Sequence, residues 1–359
     1  MNIGIDIRSL IKRPLTGVGH YTASLLDALP GASPHHTWHQ LVTGLKLPED
    51  VRRASPTQLH IRVPNKILTA TWALTPLPLW TKKINALDAL LLPNIHYLSP
   101  AIHVPFAVTV HDVSFLHNPR FYNVKWRLAH LVTNIPRLLR RARRIITVSE
   151  FSKSEIHRYF PWLKDSTVVV IQPALPETGG DVPAVLSLPQ NDYILFVGTL
   201  EPRKNIPTAI QAFLSVAKKY KDVTLVLAGS RGWLSRDIVQ MIDGNPRIQW
   251  LDYVTPADKL ALYQHARVFI WPSLYEGFGF PPLESLRAGT PVITSYRTSL
   301  PEILGAGAIY VNPHNVYDVA AALDYTLSRS SVHLPPAPAL SNSWASVAKK
   351  VVGTLESMI

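Results

Sequence analysis

Between residues 193 and 312 the chain repeats one pattern: a short, almost unbroken apolar run, a helical stretch, then another apolar run. The runs are "YILFVG" (193–198), "TLVLAGS" (224–230), "IQWLDYV" (248–254), "VFIWPS" (268–273), "PVITS" (291–295) and "AIYVN" (308–312). They lack the alternation of a strand with one wet face, so each reads as a strand buried on both sides. Between the first two, "IPTAIQAFLSVAKKY" puts Ile206, Ile210, Phe213 and Ala217 on one helical face, and "PADKLALYQHA" (256–266) carries proline near its start. Strands and helices alternating at this spacing predict a parallel sheet covered on both faces, a doubly wound α/β domain.

The first half repeats the grammar less cleanly, in "NIGIDI" (2–7), "HQLVTG" (39–44), "ALLLPN" (89–94), "FAVTVHD" (106–112), "RIITVSE" (144–150) and "TVVVIQP" (167–173). A chain of 359 residues exceeds what one core ordinarily fills. The expected organisation is therefore two Rossmann-like doubly wound domains, residues 1–175 and 190–343, facing across a cleft. Residues 174–192, rich in Pro and Gly, read as the linker. The last segment, 344–359, reads as a helix with Trp344, Val347, Val351 and Leu355 on its apolar face, packing back on the first domain. Ligands of such sheets bind beyond the carboxyl ends of the strands, so functional residues belong on loops that follow strands.

The charge balance narrows the partners. A formal net charge of +12 favours an anionic one. The absence of cysteine removes disulfides, thiolate metal sites and a cysteine nucleophile together. "MNIGIDIRSL" opens as a strand rather than as a basic and apolar leader, and the apolar stretch 67–80 is broken by Pro76 and Pro78. The expectation is a cytoplasmic protein without a membrane span.

Four loops carry chemistry. In "GTLEPRKN" (198–205), Arg203 and Lys204 are adjacent cations at a strand-to-helix turn, a pattern that suits a diphosphate and equally suits a solvated turn. In "SLYEGFGFPPLESLRAGTPVITS" (273–295), Gly277 and Gly279 free the backbone, Pro281 and Pro282 open a helix, and Glu284 falls in its first turn. A helix dipole accounts for Glu284 but not for Glu276 ahead of the Gly-Phe-Gly turn. Carboxylates so placed can accept hydrogen bonds from vicinal hydroxyls. "TGVGHYTASLL" (16–26) puts Gly17 and Gly19 ahead of an amphipathic helix, without the dinucleotide-binding spacing. The fourth is His111-Asp112, where a strand ends.

The run "GTLEPRKN … SLYEGFGFPPLESLRAGTPVI" resembles the donor-binding half of the family 4 retaining glycosyltransferases, whose signature is Glu-x7-Glu with Gly-Phe-Gly inside. With "TGVGHYTASLL", "HDVSFLH" (111–117) and "ITVSEFSKSEI" (146–156), the resemblance covers most of the chain and is closest to bacterial mannosyltransferase-like members. It implies the GT-B fold, with an acceptor-side first domain and a nucleotide-sugar-binding second one. It further implies that Glu276 holds hydroxyls of the donor sugar and Glu284 the ribose. The amides of Phe278, Gly279 and Phe280 would meet sugar or phosphate, and Arg203 and Lys204 the departing diphosphate. Gly17 and Gly19 would approach that diphosphate, Val254 the base, and His111, with Asp112 orienting it, the reacting sugar. The implied donor is a nucleotide-diphosphate sugar, GDP-mannose or a related GDP-deoxyhexose; the implied acceptor is a saccharide or a polyprenyl-diphosphate-linked saccharide of surface polysaccharide.

Transfer from such a donor leaves negative charge on phosphate, and electrostatic stabilisation there is the largest help a protein gives. No two aspartates stand two positions apart, so the Asp-x-Asp metal motif is missing. A metal-independent reaction without cofactor is expected, the two cations taking the metal's place. Residues 125–150 carry Arg137, Arg140, Arg141, Arg143 and Arg144 beside Leu128, Leu131, Leu138 and Leu139, with Trp126 and Trp162 near. Read as one basic amphipathic helix, they fit either a peripheral site on an anionic inner membrane face or a solvated surface. Two alternatives stay open: a sugar-nucleotide epimerase on the same plan, and a basic nucleic-acid-binding protein. The second lacks an aromatic and basic RNA-binding signature, so nucleic acid is not expected as a partner.

Overall fold

The computed structural model describes residues 1–11, 14–49, 51, 57–64, 67–68, 81–176, 188–189 and 191–359. Most of the apolar stretch 67–80 and of the linker 174–192 lies outside the described residues. The chain forms two compact units: Met1–Val113 with Val124–Pro176 and Asn342–Ile359, and Ser114–Asn123 with Glu177–Ser341. The short segment 114–123 thus groups with the second unit, whereas a division by sequence kept it in the first.

The first unit is built on seven parallel strands: β1 (Asn2–Asp6), β2 (Thr37–Thr43), β3 (Gln58–Ile61), β4 (Ala89–Leu92), β5 (Phe106–Val110), β6 (Arg144–Thr147) and β7 (Val168–Val170). Their order is β3-β2-β1-β4-β5-β6-β7. The chain runs outward from β1 to β3, then returns to the other side of β1 for β4, so the order reverses between β1 and β4. Six strands match the apolar runs of the sequence; β3, "QLHI", is a short edge strand whose mixed composition gave no such run. Every residue of β4 and β5 is buried, as strands covered on both faces require.

The helix Trp344–Glu356 completes this unit's core. Trp344, Val347, Val351 and Leu355 are all buried, packed with Ile3, Ile5, Tyr21, Leu25 and Leu29. The Trp344 indole N–H donates to the Leu175 carbonyl at 3.1 Å, which fixes the register of the returning helix.

The second unit has six parallel strands: β8 (Tyr193–Val197), β9 (Thr224–Ala228), β10 (Ile248–Leu251), β11 (Val268–Trp271), β12 (Val292–Ser295) and β13 (Ile309–Val311). The order β10-β9-β8-β11-β12-β13 reverses between β8 and β11, which pair through Val268 with Ile194 and Phe269 with Leu195. Ile206, Ile210 and Phe213 of the helix Ile206–Val216 are buried, as its periodicity predicts.

The basic stretch 125–150 is not one helix. Asn134, with φ of 48°, ends Val124–Thr133 and caps a second helix, Ile135–Arg141, accepting from the Arg137 N–H at 3.3 Å. Arg143 and Arg144 lie beyond it, Arg144 in β6. Among the described residues no helix is long and apolar enough to cross a membrane.

Candidate functional site

The reversal between β8 and β11 makes adjacent strands send their following loops apart, and ligands of open parallel sheets bind in the crevice this leaves. Arg203 and Lys204 follow β8 and Glu276 follows β11. The structure brings the three together. Lys204 Nζ lies 2.7 Å from Glu276 Oε1 and Arg203 Nη1 3.2 Å from Glu276 Oε2. Lys204 also stands 4.5 Å above the Trp271 ring. Lys204 and Glu276 are both buried.

Local chemistry explains why the β8 loop holds its shape. Pro202–Lys204 forms one 3-10 turn that ends at Asn205, a left-handed residue with φ of 55°. Asn205 suits that conformation and fastens the loop, its amide donating to the carbonyls of Pro272 and Pro313 at 3.0 and 2.7 Å. Arg203 donates to Glu201 Oε1 through Nε and Nη2, at 3.1 and 2.9 Å, and to the Tyr275 carbonyl at 3.0 Å.

The Glu276 carboxylate is heavily used. Oε1 accepts from Lys204, from the Trp271 indole at 3.1 Å and from the Ser273 hydroxyl at 2.7 Å. Burial pushes its pKa up, but Lys204 and Arg203 outweigh this and hold it below the ordinary value. Burial, with the Arg203 charge, lowers Lys204, against the pull of Glu276 and Glu201. Two cations face two buried carboxylates, Glu201 and Glu276, so the cluster is close to neutral.

The Gly-Phe-Gly turn adds donors. Gly279 has φ of +106° and caps the helix Phe280–Arg287, with Pro281 and Pro282 in its first turn. A Cβ there would also stand 2.7 Å from the Leu300 side chain. Gly279 is therefore a position where glycine is required by conformation. The Ser299 hydroxyl donates to the carbonyls of Glu276 and Phe278 and pins the turn. Among the described residues, the N–H groups of Phe278, Gly279 and Phe280 donate to no protein acceptor, which leaves three adjacent donors at a helix start.

Glu284 is the fifth residue of its helix rather than a member of its first turn, so the dipole does not explain it. Its partners come from the helix Pro256–His265. Lys259 Nζ stands 2.9 Å from Oε1, and the Tyr263 hydroxyl donates to Oε2 at 3.0 Å. Burial and the neighbouring carboxylate raise the Tyr263 pKa, which keeps it a donor. Val254, half-buried, lies between β10 and that helix. Glu201, Trp271, Ser273, Lys259 and Tyr263 escaped the sequence reading. Only Lys259 and Tyr263 left a signal, their spacing of four on one helical face.

The remaining residues lie in the first unit. Gly17 and Gly19 occupy the first turn of the helix Gly17–Ala32, capped by Thr16, whose Oγ1 accepts from the Gly19 N–H at 3.4 Å. His111 follows β5. Its Nε2–H donates to the Pro93 carbonyl at 2.9 Å, and its ring meets Tyr21 edge-on, with centroids 4.7 Å apart. The Pro93 carbonyl is thus a partner that orients it. Burial pushes the His111 pKa down, opposed by Pro93 and Asp112.

Residues 183–347 match the family model described as glycosyl transferases group 1. O-antigen chain mannosyltransferase B of Escherichia coli is 34% identical over 251 residues, 66% of this chain and 66% of that protein. The serotype-specific mannosyltransferase WbdA of Escherichia coli is 38% identical over 149 residues, 40% of this chain and 18% of its own length. The matches thus leave a third or more of these relatives' length unspanned. Among solved structures, sucrose-phosphate synthase from Thermosynechococcus elongatus aligns with a TM-score of 0.67 over 100% of this chain and 96% of its own, at 18% identity. Two parallel-sheet domains of this kind make up the GT-B fold. Residues 183–347 thus carry a glycosyl transferases group 1 domain, as the motifs there implied, and the epimerase and nucleic-acid readings find no favour in these matches.

Proposed function

We propose that this chain transfers a mannosyl or rhamnose-like hexosyl unit, with retention of configuration, from a GDP-linked sugar to a saccharide or polyprenyl-diphosphate-linked acceptor in O-antigen or related surface-polysaccharide synthesis. The observation that carries the reading is the meeting of Arg203, Lys204 and Glu276 at the strand-order reversal of the second sheet. Names of similar proteins support the mannosyl and O-antigen parts.

The chemistry follows from charge. As the glycosidic bond breaks, positive charge grows on the sugar ring and negative charge on the diphosphate. Arg203, Lys204 and the open N–H groups of residues 278–280 are the groups suited to that diphosphate, and they need no metal. Glu276 takes sugar hydroxyls by exchanging one of its present donors, and Glu284 takes the ribose in the same way. The leaving phosphate helps accept the acceptor proton. His111, Gly17, Gly19 and Val254 keep the roles that the family motifs imply for them.

A peripheral membrane contact at the inner face belongs to the same reading. The helix Val124–Thr133 has no buried residue, and it presents Val124, Trp126, Leu128, Leu131 and Val132 beside Lys125 and Arg127. The reading is tested with a thermal-shift panel of GDP, UDP, ADP and dTDP sugars. GDP-mannose should raise the melting temperature of the wild type and not of Arg203→Ala, with or without EDTA. Indifference of the wild type to every nucleotide sugar would defeat it.

A further inference from the structure

β1 and β4 are the strands between which the order of the first sheet reverses, and the segments leaving them bring together three side chains that the transfer chemistry does not employ. Asp6 ends β1, and its side chain is wholly excluded from solvent. Arg8 Nε donates to both carboxylate oxygens, at 2.9 and 3.0 Å, Arg8 Nη2 adds a third bond at 2.6 Å, and the Arg8 backbone N–H a fourth at 3.0 Å. From beyond β4, His96 sets Nδ1 3.0 Å from Asp6 Oδ2. Its side chain keeps 24% of its surface exposed. Among the described residues Nε2 has no hydrogen-bond partner.

The orientation of that ring has a chemical consequence. Burial pushes the Asp6 carboxyl up, but Arg8 and His96 outweigh it and hold the group well below the usual carboxylate range. An ionised carboxylate only accepts, so Nδ1 of His96 carries the proton shared with Asp6, and in the singly protonated tautomer the Nε2 lone pair faces outward. Arg8 alone already compensates Asp6, so the ion pair does not require the histidine. What the cluster adds is a fixed hydrogen-bond acceptor at the place where open parallel sheets receive ligands.

We propose that His96 is a hydroxyl-binding residue of the first unit: Nε2 accepts a hydrogen bond from a hydroxyl of the saccharide acceptor, while Asp6 positions the ring and Arg8 secures Asp6. The assignment rests on the glycosyl-transfer reading and extends it to the acceptor.

The test uses full-length protein labelled with 15N-histidine at pH 8, titrated with methyl α-D-mannopyranoside, alongside calorimetric titration with GDP-mannose. His96 should show the Nδ1–H tautomer, and its Nε2 signal should move saturably with the mannoside. His96→Ala should weaken the mannoside about three- to tenfold, the worth of one hydrogen bond. GDP-mannose affinity should stay unchanged in that variant, and His96→Gln, which retains an acceptor oxygen, should recover part of the loss. A His96 signal unmoved by 0.1 M mannoside while GDP-mannose still binds would overturn this proposal alone. Loss of GDP-mannose binding in His96→Ala would likewise overturn it, as the mark of a structural role. Failure of the wild type to bind GDP-mannose while the mannoside still moves His96 would instead count against the proposed donor.

Discussion

Glu276 has four donors on two oxygens: Lys204, Trp271 and Ser273 on one, Arg203 on the other. A carboxylate offers about four lone-pair sites, two per oxygen, so a sugar hydroxyl enters most readily at Oε2, where the 3.2 Å bond from Arg203 is the longest of the set and the one most easily exchanged. In the proposed reaction Arg203 then turns from Glu276 to the phosphate of the donor. Glu276→Gln should lose transfer activity and, because it leaves buried cations unpaired, cost about 3–5 kcal/mol of stability in denaturant titration. The pH dependence has a definite sign. Glu276 has a folded pKa below its ordinary 4.5, so its stabilisation is complete above that value and lost as pH falls through the lower folded one. Melting curves of wild type and Glu276→Gln should differ at pH 7 and converge in acid. At the other end of the motif, Tyr263→Phe removes one donor from Glu284. It should raise the donor KM about three- to tenfold with kcat nearly unchanged. The pair Glu276 and Glu284 was legible because both lie on one continuous loop and helix. Their partners were not, since Lys204 and Lys259 reach them only after β8 and β11 pair and the helix Pro256–His265 packs.

Elements were legible where one force dominated. Strands buried on both faces announce themselves as apolar runs, and eleven of the thirteen strands above fall wholly within runs quoted from the sequence; β2 begins two residues ahead of its run, and β3 matches none. β3 had too few apolar residues to stand out from its surroundings. The break at Asn134 was written in "TNIPRLL", an N-cap residue followed by proline at a helix start, but the sustained apolar and basic periodicity on either side masked it. The Gly279 turn shows the reverse case, a local signal read correctly for its freedom and confirmed by φ of +106°. Gly279→Ala should destabilise by about 1–3 kcal/mol from backbone strain alone, with more from the approach to Leu300. Chemical denaturation measures the loss, and the turn's displacement should also weaken nucleotide-sugar binding. The helix Val124–Thr133 carries its own prediction. Binding to vesicles containing anionic lipid should fall as salt rises, and Leu128→Ser with Leu131→Ser should weaken it at constant salt, measured by co-sedimentation.

At the scale of the molecule, both sheets reverse their order once, between β1 and β4 and between β8 and β11, and a buried ion-pair cluster lies beyond that pair of strands in each unit. The Asp6 cluster in one and the Glu276 cluster in the other are therefore products of topology as much as of sequence. The first unit also borrows its last element from the far end of the chain, for Val347, Val351 and Leu355 fill space between Tyr21, Leu25 and Ile3. Val351→Ala should cost several kcal/mol, within the range of about 0.5–5 kcal/mol known for shortened core side chains, and calorimetry should assign that loss to the first unit. During synthesis the consequence is one of timing. A ribosome that has finished residue 176 has made a sheet that still lacks one of its covering helices, and the apolar surface around Tyr21, Leu25 and Ile3 stays open until residues 344–356 follow.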